Sequence, residues 1–230
     1  MDMEPTPEDR SRRKFAEAAR LLKALLILHA VVSAVFLVSS AMQWELIARP
    51  AWTTEELEAN DERQELLSVV TIGTFLLTAA FFARWILLAN RHVRAIGAEG
   101  LTQTPGKALL FYFVPFVNLV LPYRGMRELW QASHSPSGWR EQPVPALVPT
   151  WWTFWLVTNV FGRLTKAMSE RADDQPSLIL ATQLLTLQAA LVIAVSLLAH
   201  AVVRRVTDAQ LAAAPGSGQP GRLHDRLHLP

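Results

Sequence analysis

The sequence predicts an all-α integral membrane protein, a helical bundle of four transmembrane helices plus a proline-broken segment that is re-entrant or interfacial. Three observations predict it. Of 230 residues, 51% are apolar and only 18% charged, where soluble domains carry about a quarter charged. Several uncharged runs approach the roughly 20 residues that cross a bilayer's hydrocarbon core. Lysine and arginine crowd into some connecting segments and avoid others, the bias that orients membrane proteins.

The same totals exclude whole classes of function. A formal net charge of +2 without a basic stripe interleaved with aromatics leaves no nucleic-acid groove. The absence of cysteine removes disulfides, thiolate nucleophiles, iron–sulfur clusters and cysteine-bearing zinc sites. No period of 20 to 50 residues recurs, so solenoids and propellers are out.

Residues 1–20 form a basic N-terminal segment. Thr6-Pro7-Glu8-Asp9 combines an N-cap, a proline at the first helical position and acids in the first turn. The first span, 24–44, holds 19 uncharged residues from Ala24 to Met42 and closes on Trp44, an aromatic at the expected interface. Basic residues before it and Ser39-Ser40-Ala41 after it also suit a signal peptide, but the run exceeds a typical signal's apolar core. An acidic loop follows over 45–65, where Thr53 and Glu56 make a capping box that starts a helix running into span two, 66–90. Arg84, near that span's basic end, can snorkel to the headgroups.

The next apolar stretch, Ala108–Leu121, has 14 residues and contains Pro115 and Asn118, with Thr104-Pro105 before it and Pro122 after. A straight helix of that length covers about 21 Å at about 1.5 Å per residue, short of a roughly 30 Å core. The segment 105–130 therefore reads as broken, ending in an amphipathic turn or two over 123–130. Residues 132–148 read as a polar, proline-rich loop. Span three, 146–163, opens on Trp151, Trp152 and Trp155 and takes Pro149 as a kink. Span four, 178–203, is capped by Asp174 and Pro176 and ends at Arg204-Arg205. The membrane domain closes at 208, and 209–230 reads as a disordered tail.

Two arrangements compete. If 105–122 does not cross, there are four spans with both termini inside, and 16 basic residues lie inside against five outside. If it crosses, five spans put 12 inside and nine outside. The positive-inside rule favours four.

The run Phe82–Gly97, then Pro105-Gly106-Lys107, Phe113-Val-Pro115-Phe-Val-Asn118 through Trp130, and Trp151-Trp152-Thr153-Phe154-Trp155 occur in a recognisable order. They resemble a bacterial multi-pass membrane family known as domain of unknown function 4328, from about span one to residue 205. The resemblance implies a membrane location and a shared architecture, with no catalytic residue to carry over.

Searches for chemistry return little. Only His224 and His228 stand four apart, the spacing that places two ligands on one helix face, and they fall in the tail. Nucleophile elbows, Walker loops, Rossmann glycines and HExxH are absent, and the spans hold no Asp or Glu. Ser33, Ser39 and Ser40 with His200 sketch an intramembrane hydrolase, although small polar residues at helix contacts explain them more simply. Neither catalytic residue, cofactor nor metal is expected. Asn118 and Asn159, with Gln183 and Gln188, are candidate polar lining of a pore.

One constellation stands out. Arg91, Arg94, Lys107, Arg124 and Arg127 gather at the inner interface in the four-span arrangement, as a pocket for anionic lipid headgroups or phosphorylated ligands would. The expected protein is a non-enzymatic module of the bacterial cytoplasmic membrane, both termini cytoplasmic, binding anionic lipid, a protein partner or its own copy there. The alternative is a small channel or transporter using 105–122 as its re-entrant element.

Overall fold

The computed structural model describes residues 6–213. Six α-helices form among them, and no strand: α1 Pro7–Ile47, α2 Thr54–Ala95, α3 Pro105–Leu110, α4 Leu121–His134, α5 Leu147–Ser169 and α6 Gln175–Ala212. Single 3₁₀ turns occupy Val117–Leu119 and Trp139–Glu141.

The helices α1, α2, α3 and α6 begin where a side chain satisfies orphan donors. Thr6 and Asp9 form a reciprocal capping box, with Asp9 N–H donating to Thr6 Oγ1 at 3.1 Å and Thr6 N–H to Asp9 Oδ2 at 3.2 Å. The Thr6 hydroxyl, donating to Asp9 Oδ2 at 2.8 Å, and the Thr6 N–H hold the Asp9 carboxyl below its ordinary pKa. Thr53 and Glu56 repeat the device before α2, at 3.2 and 2.9 Å. At α6, Ser177 N–H donates to Asp174 Oδ1 at 2.9 Å. Pro149 and Pro122 fall within the first turns of α5 and α4. Pro149 is therefore no kink, since the first turn's N–H groups have no intrahelical partner to lose. Pro122 opens a helix where the sequence reading had it close one.

The described residues divide into two compact units. Unit 1 draws on the described parts of Met1–Leu22, Phe81–Pro149 and Ala201–Pro230. Here Trp85, fully buried, donates through Nε1 to Thr207 Oγ1 at 3.1 Å. Phe15 packs against the His92 ring at 5.0 Å between centroids. Arg12 donates to Leu211 O at 2.6 Å, supplying a partner to a carbonyl in the last turn of α6. The buried Gln210 reaches Ser133 Oγ at 2.9 Å.

Unit 2 comprises Lys23–Ala80 and Thr150–His200. Its α1 and α2 segments run antiparallel, joined by His29 Nδ1 to Thr74 Oγ1 at 3.0 Å and by Arg63 Nε to Ser39 Oγ at 2.9 Å. Gln188 lies against Gly162 and donates to Thr158 O at 3.3 Å. Gln175 Nε2 donates to Ile47 O at 2.8 Å. Ser33, half of the sketched hydrolase, donates to His29 O one turn back at 2.7 Å, the ordinary resting place of a helical hydroxyl.

Among the described residues, three helices are long and apolar enough to cross a membrane: α1, α2 and α6. Their apolar faces are open, with Leu66, Val69 and Leu76 of α2 all about 60% exposed, an arrangement that water penalises and lipid does not. At 23 residues α5 has the length, but its tryptophans, threonines and Asn159 leave it without an 18-residue stretch as apolar as those of the other three. The helix α6 continues to Ala212, into the stretch expected to open the disordered tail, because Ala209, Gln210 and Leu211 are good helix formers. His224 and His228 lie outside the described residues.

Trp85→Ala is expected to destabilise the protein by about 3–5 kcal/mol, as a cavity in a packed interior does. Thr207→Val, which only deletes the hydroxyl, should cost about 1 kcal/mol. Denaturant titration in detergent checks both, and equal losses would deny the tryptophan its packing role.

Candidate functional site

The candidate site lies within unit 1 and is built on a closed loop. Helix α2 ends in a Schellman motif, with Gly97 N–H donating to Arg94 O and Ala98 N–H to Val93 O, both at 3.1 Å. That ending needs a left-handed residue, which Gly97 provides at φ 104°. Past it, the chain is tied back at several points. Arg94 donates to Asn90 O at 2.5 Å and to Gln103 O. Gln103 donates through Nε2 to Leu121 O at 2.9 Å. Thr102 N–H and Oγ1 both donate to the Glu128 carboxylate, at 3.0 and 2.5 Å. Trp139 donates to Glu99 O at 2.9 Å, and Arg140 stacks on its ring at 4.6 Å.

These bonds bring residues 102–103 beside Leu121 and Glu128, so the segment between them leaves and returns to the same place. Gly125 makes the approach feasible, because a Cβ there would collide with the Gln103 side chain. The returning helix, α4, is two-faced: Met126, Leu129 and Trp130 are buried while Arg124 and Arg127 are exposed. It extends to His134, further than the turn or two read from the sequence, because Gln131 and Ser133 find buried partners in Gln142 O and Gln210.

Between α3 and α4 the chain makes a tight reversal. Val117 N–H donates to Pro115 O at 2.7 Å around Phe116, whose φ is 63° and ψ −40°. This is close to a γ-turn of the rare, strained hand. A phenylalanine held there stores about 1–3 kcal/mol.

The five basic candidates separate. Arg91, Lys107, Arg124 and Arg127 are exposed, and among the described residues none of them forms an ion pair or a side-chain hydrogen bond. Arg94 differs. Its guanidinium is half-buried and committed to two carbonyls, with burial pressing its pKa down and Glu128 opposing that shift. It positions the loop, so the site has four presenting cations rather than five. Arg84 is also exposed.

Of the candidate lining residues, Asn118 falls in the 3₁₀ turn between α3 and α4 and Asn159 on α5. Asn118 is half-buried, and the side chain that ties down the backbone of this segment, at Leu121 O, is Gln103. Asn159 is exposed on α5 and donates to Trp155 O at 2.7 Å on its own helix. Sequence reasoning missed Gln103, Glu128 and Trp139. Glu128 had a legible signal, as the lone acid between Lys107 and Arg140. Gln103, between two threonines, had none. No group of three His, Cys, Asp or Glu side chains suited to a metal gathers among the described residues.

The fold and site define a helical membrane-type protein with a strongly basic unit closed around a returning loop. The sequence profile described as Domain of unknown function (DUF4328) matches residues 48–208, and the chain belongs to that family. The match begins after α1, where the resemblance had been read from span one, and contains the whole returning loop. Neither the curated proteins nor the solved structures provide a match.

His92 connects this site to both terminal helices, with Phe15 and Arg12 of α1 on one side and the Gln210 backbone of α6 on another. Burial lowers its pKa most, the hydrogen bond its ring donates to the Gln210 backbone carbonyl opposes that, and the Arg12 charge adds to the lowering. A histidine depressed in the folded state contributes stability above its unfolded value, near 6.5, that is lost as pH falls toward its folded value. The protein should therefore melt at lower temperature at pH 5.5 than at pH 7.5, and His92→Leu should shrink the difference. An unchanged difference in that variant assigns the pH dependence elsewhere.

Proposed function

We propose that this chain is a non-enzymatic, four-span module of the bacterial cytoplasmic membrane that binds anionic lipid headgroups on its basic unit, with both termini cytoplasmic. The observation that carries the reading is the set of exposed, unpaired cations Arg91, Lys107, Arg124 and Arg127 in one compact unit. That unit holds fourteen lysines and arginines and seven acids among its described residues, whereas unit 2 holds six and ten. Basic side chains near an anionic surface contribute about 1 kcal/mol each, and arginine adds bidentate phosphate recognition. Lipid is favoured over a protein partner because the cations flank an apolar segment, as headgroup-binding residues do.

Two further observations support four spans, with α5 as the third crossing. The ends of 104–120 are hydrogen-bonded together through Gln103 and Thr102, which suits a segment that does not traverse about 30 Å of hydrocarbon. The N-terminal segment, the central loop and the end of α6 also pack as one unit, which suits their sharing one side.

A small channel is the second reading. What favours it is a set of buried oxygens without a hydrogen-bond partner in unit 2, at Thr158, Thr165 and Gln188, which water in a polar seam would satisfy. Solute flux into proteoliposomes tests it, and tight vesicles across a broad panel of solutes count against it.

Arg124→Glu with Arg127→Glu should weaken retention of anionic lipid through purification by roughly 30-fold or more, from the loss of about 2 kcal/mol, while insertion persists. Unaltered retention sinks the lipid reading. Topology is checked independently in the cysteine-free chain: Thr54→Cys should react with an impermeant thiol reagent on intact cells, and Ser135→Cys only after permeabilisation. Labelling of position 135 from outside establishes five spans.

A further inference from the structure

In unit 1 the large exposed apolar side chains are concentrated in one short stretch. Leu110, Phe113, Phe116, Leu119 and Val120 are 47–85% exposed, and apart from them Leu21 is the only large apolar residue exposed among the unit's described residues. All five lie on the last residue of α3 and the reversal that follows it. In water such a patch is a liability, since contiguous exposed apolar surface marks a binding face.

The backbone of this stretch is prepared for an apolar medium. Phe111, Tyr112, Phe113, Val117, Asn118, Leu119 and Val120 donate their N–H groups to carbonyls between Lys107 and Val117, at 2.7–3.2 Å, leaving Val114 and Phe116 as the donors without a backbone partner there. Pro115 has no N–H to satisfy. An ordinary solvent-facing loop leaves such groups to water, whereas in hydrocarbon each unmet group costs several times more than it does in water. No Asp, Glu, Lys or Arg occurs from Ala108 to Tyr123. Cations close the stretch on either side, Lys107 before it and Arg124 and Arg127 after it, all three exposed.

At the apex is Phe116. The γ-turn holds it in a backbone conformation that side chains with a Cβ rarely adopt, and its ring is 85% exposed. Glycine would fit the turn without strain. Keeping an aromatic there makes sense if the ring has an apolar phase to enter.

We infer that residues 110–120 are an interfacial wedge that inserts Phe113 and Phe116 into the acyl-chain layer of one leaflet, while Lys107, Arg124 and Arg127 meet that leaflet's anionic headgroups. The occupant of the patch is lipid because positive charge borders it on both sides and most of its backbone donors already have partners within the turn. A protein partner would have to cover a patch ringed by unpaired cations. The wedge rests on the membrane reading above and deepens it: the returning loop dips into the leaflet and comes back on the same side.

The experiment places an environment-sensitive nitrobenzoxadiazole probe at Phe116→Cys in the otherwise cysteine-free chain, reconstituted in phosphatidylcholine–phosphatidylglycerol vesicles. A second set carries the probe at Phe113→Cys, so that one misfolded variant does not decide the matter. Ser135→Cys is the surface control. Lipids brominated high or low on the acyl chain report depth. Expected are blue-shifted emission at 113 and 116, stronger quenching from the shallow than from the deep bromines, and little quenching at 135. Quenching at 113 and 116 no greater than at 135 overturns the wedge. So does strongest quenching from the deepest bromines, which describes a crossing segment. The Arg124→Glu, Arg127→Glu protein separates the two claims: loss of lipid preference with the depth signature kept supports both. A depth signature without any lipid preference in the parent protein leaves the wedge and removes the headgroup site.

Discussion

Hydrocarbon offers no hydrogen bonds, so a chain that meets it must pair its own backbone donors and acceptors or leave them at several times their cost in water. Much of this molecule follows from that constraint. Long helices such as α1 and α2, of 41 and 42 residues, carry their own partners through any apolar slab and reach beyond it. Their ends are closed by side chains or by neighbouring segments: Thr6 and Asp9, Thr53 and Glu56, the Schellman turn at Gly97, and Arg12 on Leu211 O. Prolines fall where no donor is missed, in the first turns of α3, α4, α5 and α6. The interruption between α3 and α4 follows the same rule for most of its donors, by turn bonds instead of helix bonds.

What was legible in the sequence is what depends on neighbours a few residues away. The capping boxes, the proline at the start of α3 and the cap at Asp174 are local patterns with one low-energy solution each, and they stand where the pattern puts them. The apolar runs of α1, α2 and α6 are equally local. The ends of α4 and the parting of the arginines were not legible, because they depend on residues far along the chain. Gln210 lies 77 positions from the Ser133 it bonds, and Trp139 lies 40 from Glu99. Sequence alone ranks Arg91 and Arg94 alike, three residues apart on one helix. Only the return of Gln103 to Arg94 distinguishes them.

That distinction follows from the physics of a guanidinium. With five donors and no acceptor, an arginine that is even half removed from water must find carbonyls or carboxylates, and Arg94 takes those of Asn90 and Gln103. Arg91, turned to the outside of the same helix, keeps its hydration and has no competing partner among the described residues. Charge left in that state is what an anionic surface recruits, since it surrenders little to bind. Charge already spent on the fold cannot be recruited without opening the loop. Substituting Arg94 is thus expected to act on 102–128 as a structural unit, whereas substituting Arg124 or Arg127 acts on binding with the loop intact.

The strained apex at Phe116 and the buried, unmatched hydroxyls of unit 2 illustrate opposite uses of the same solvent. A ring held at positive φ costs backbone energy that only an external apolar phase returns, so its conformation argues for something outside the chain. A threonine such as Thr165, 2% exposed and without a partner for Oγ1, lacks something inside, and a water molecule is the smallest species that fits the need. The first observation concerns how the protein meets its membrane and the second what can enter between its helices. Because they sit in different units and depend on different groups, each reading stands or falls without the other. The wedge has the stronger case, because strain, exposure, backbone pairing and flanking charge converge on one eleven-residue stretch, whereas the hydroxyls are joined only by what they lack.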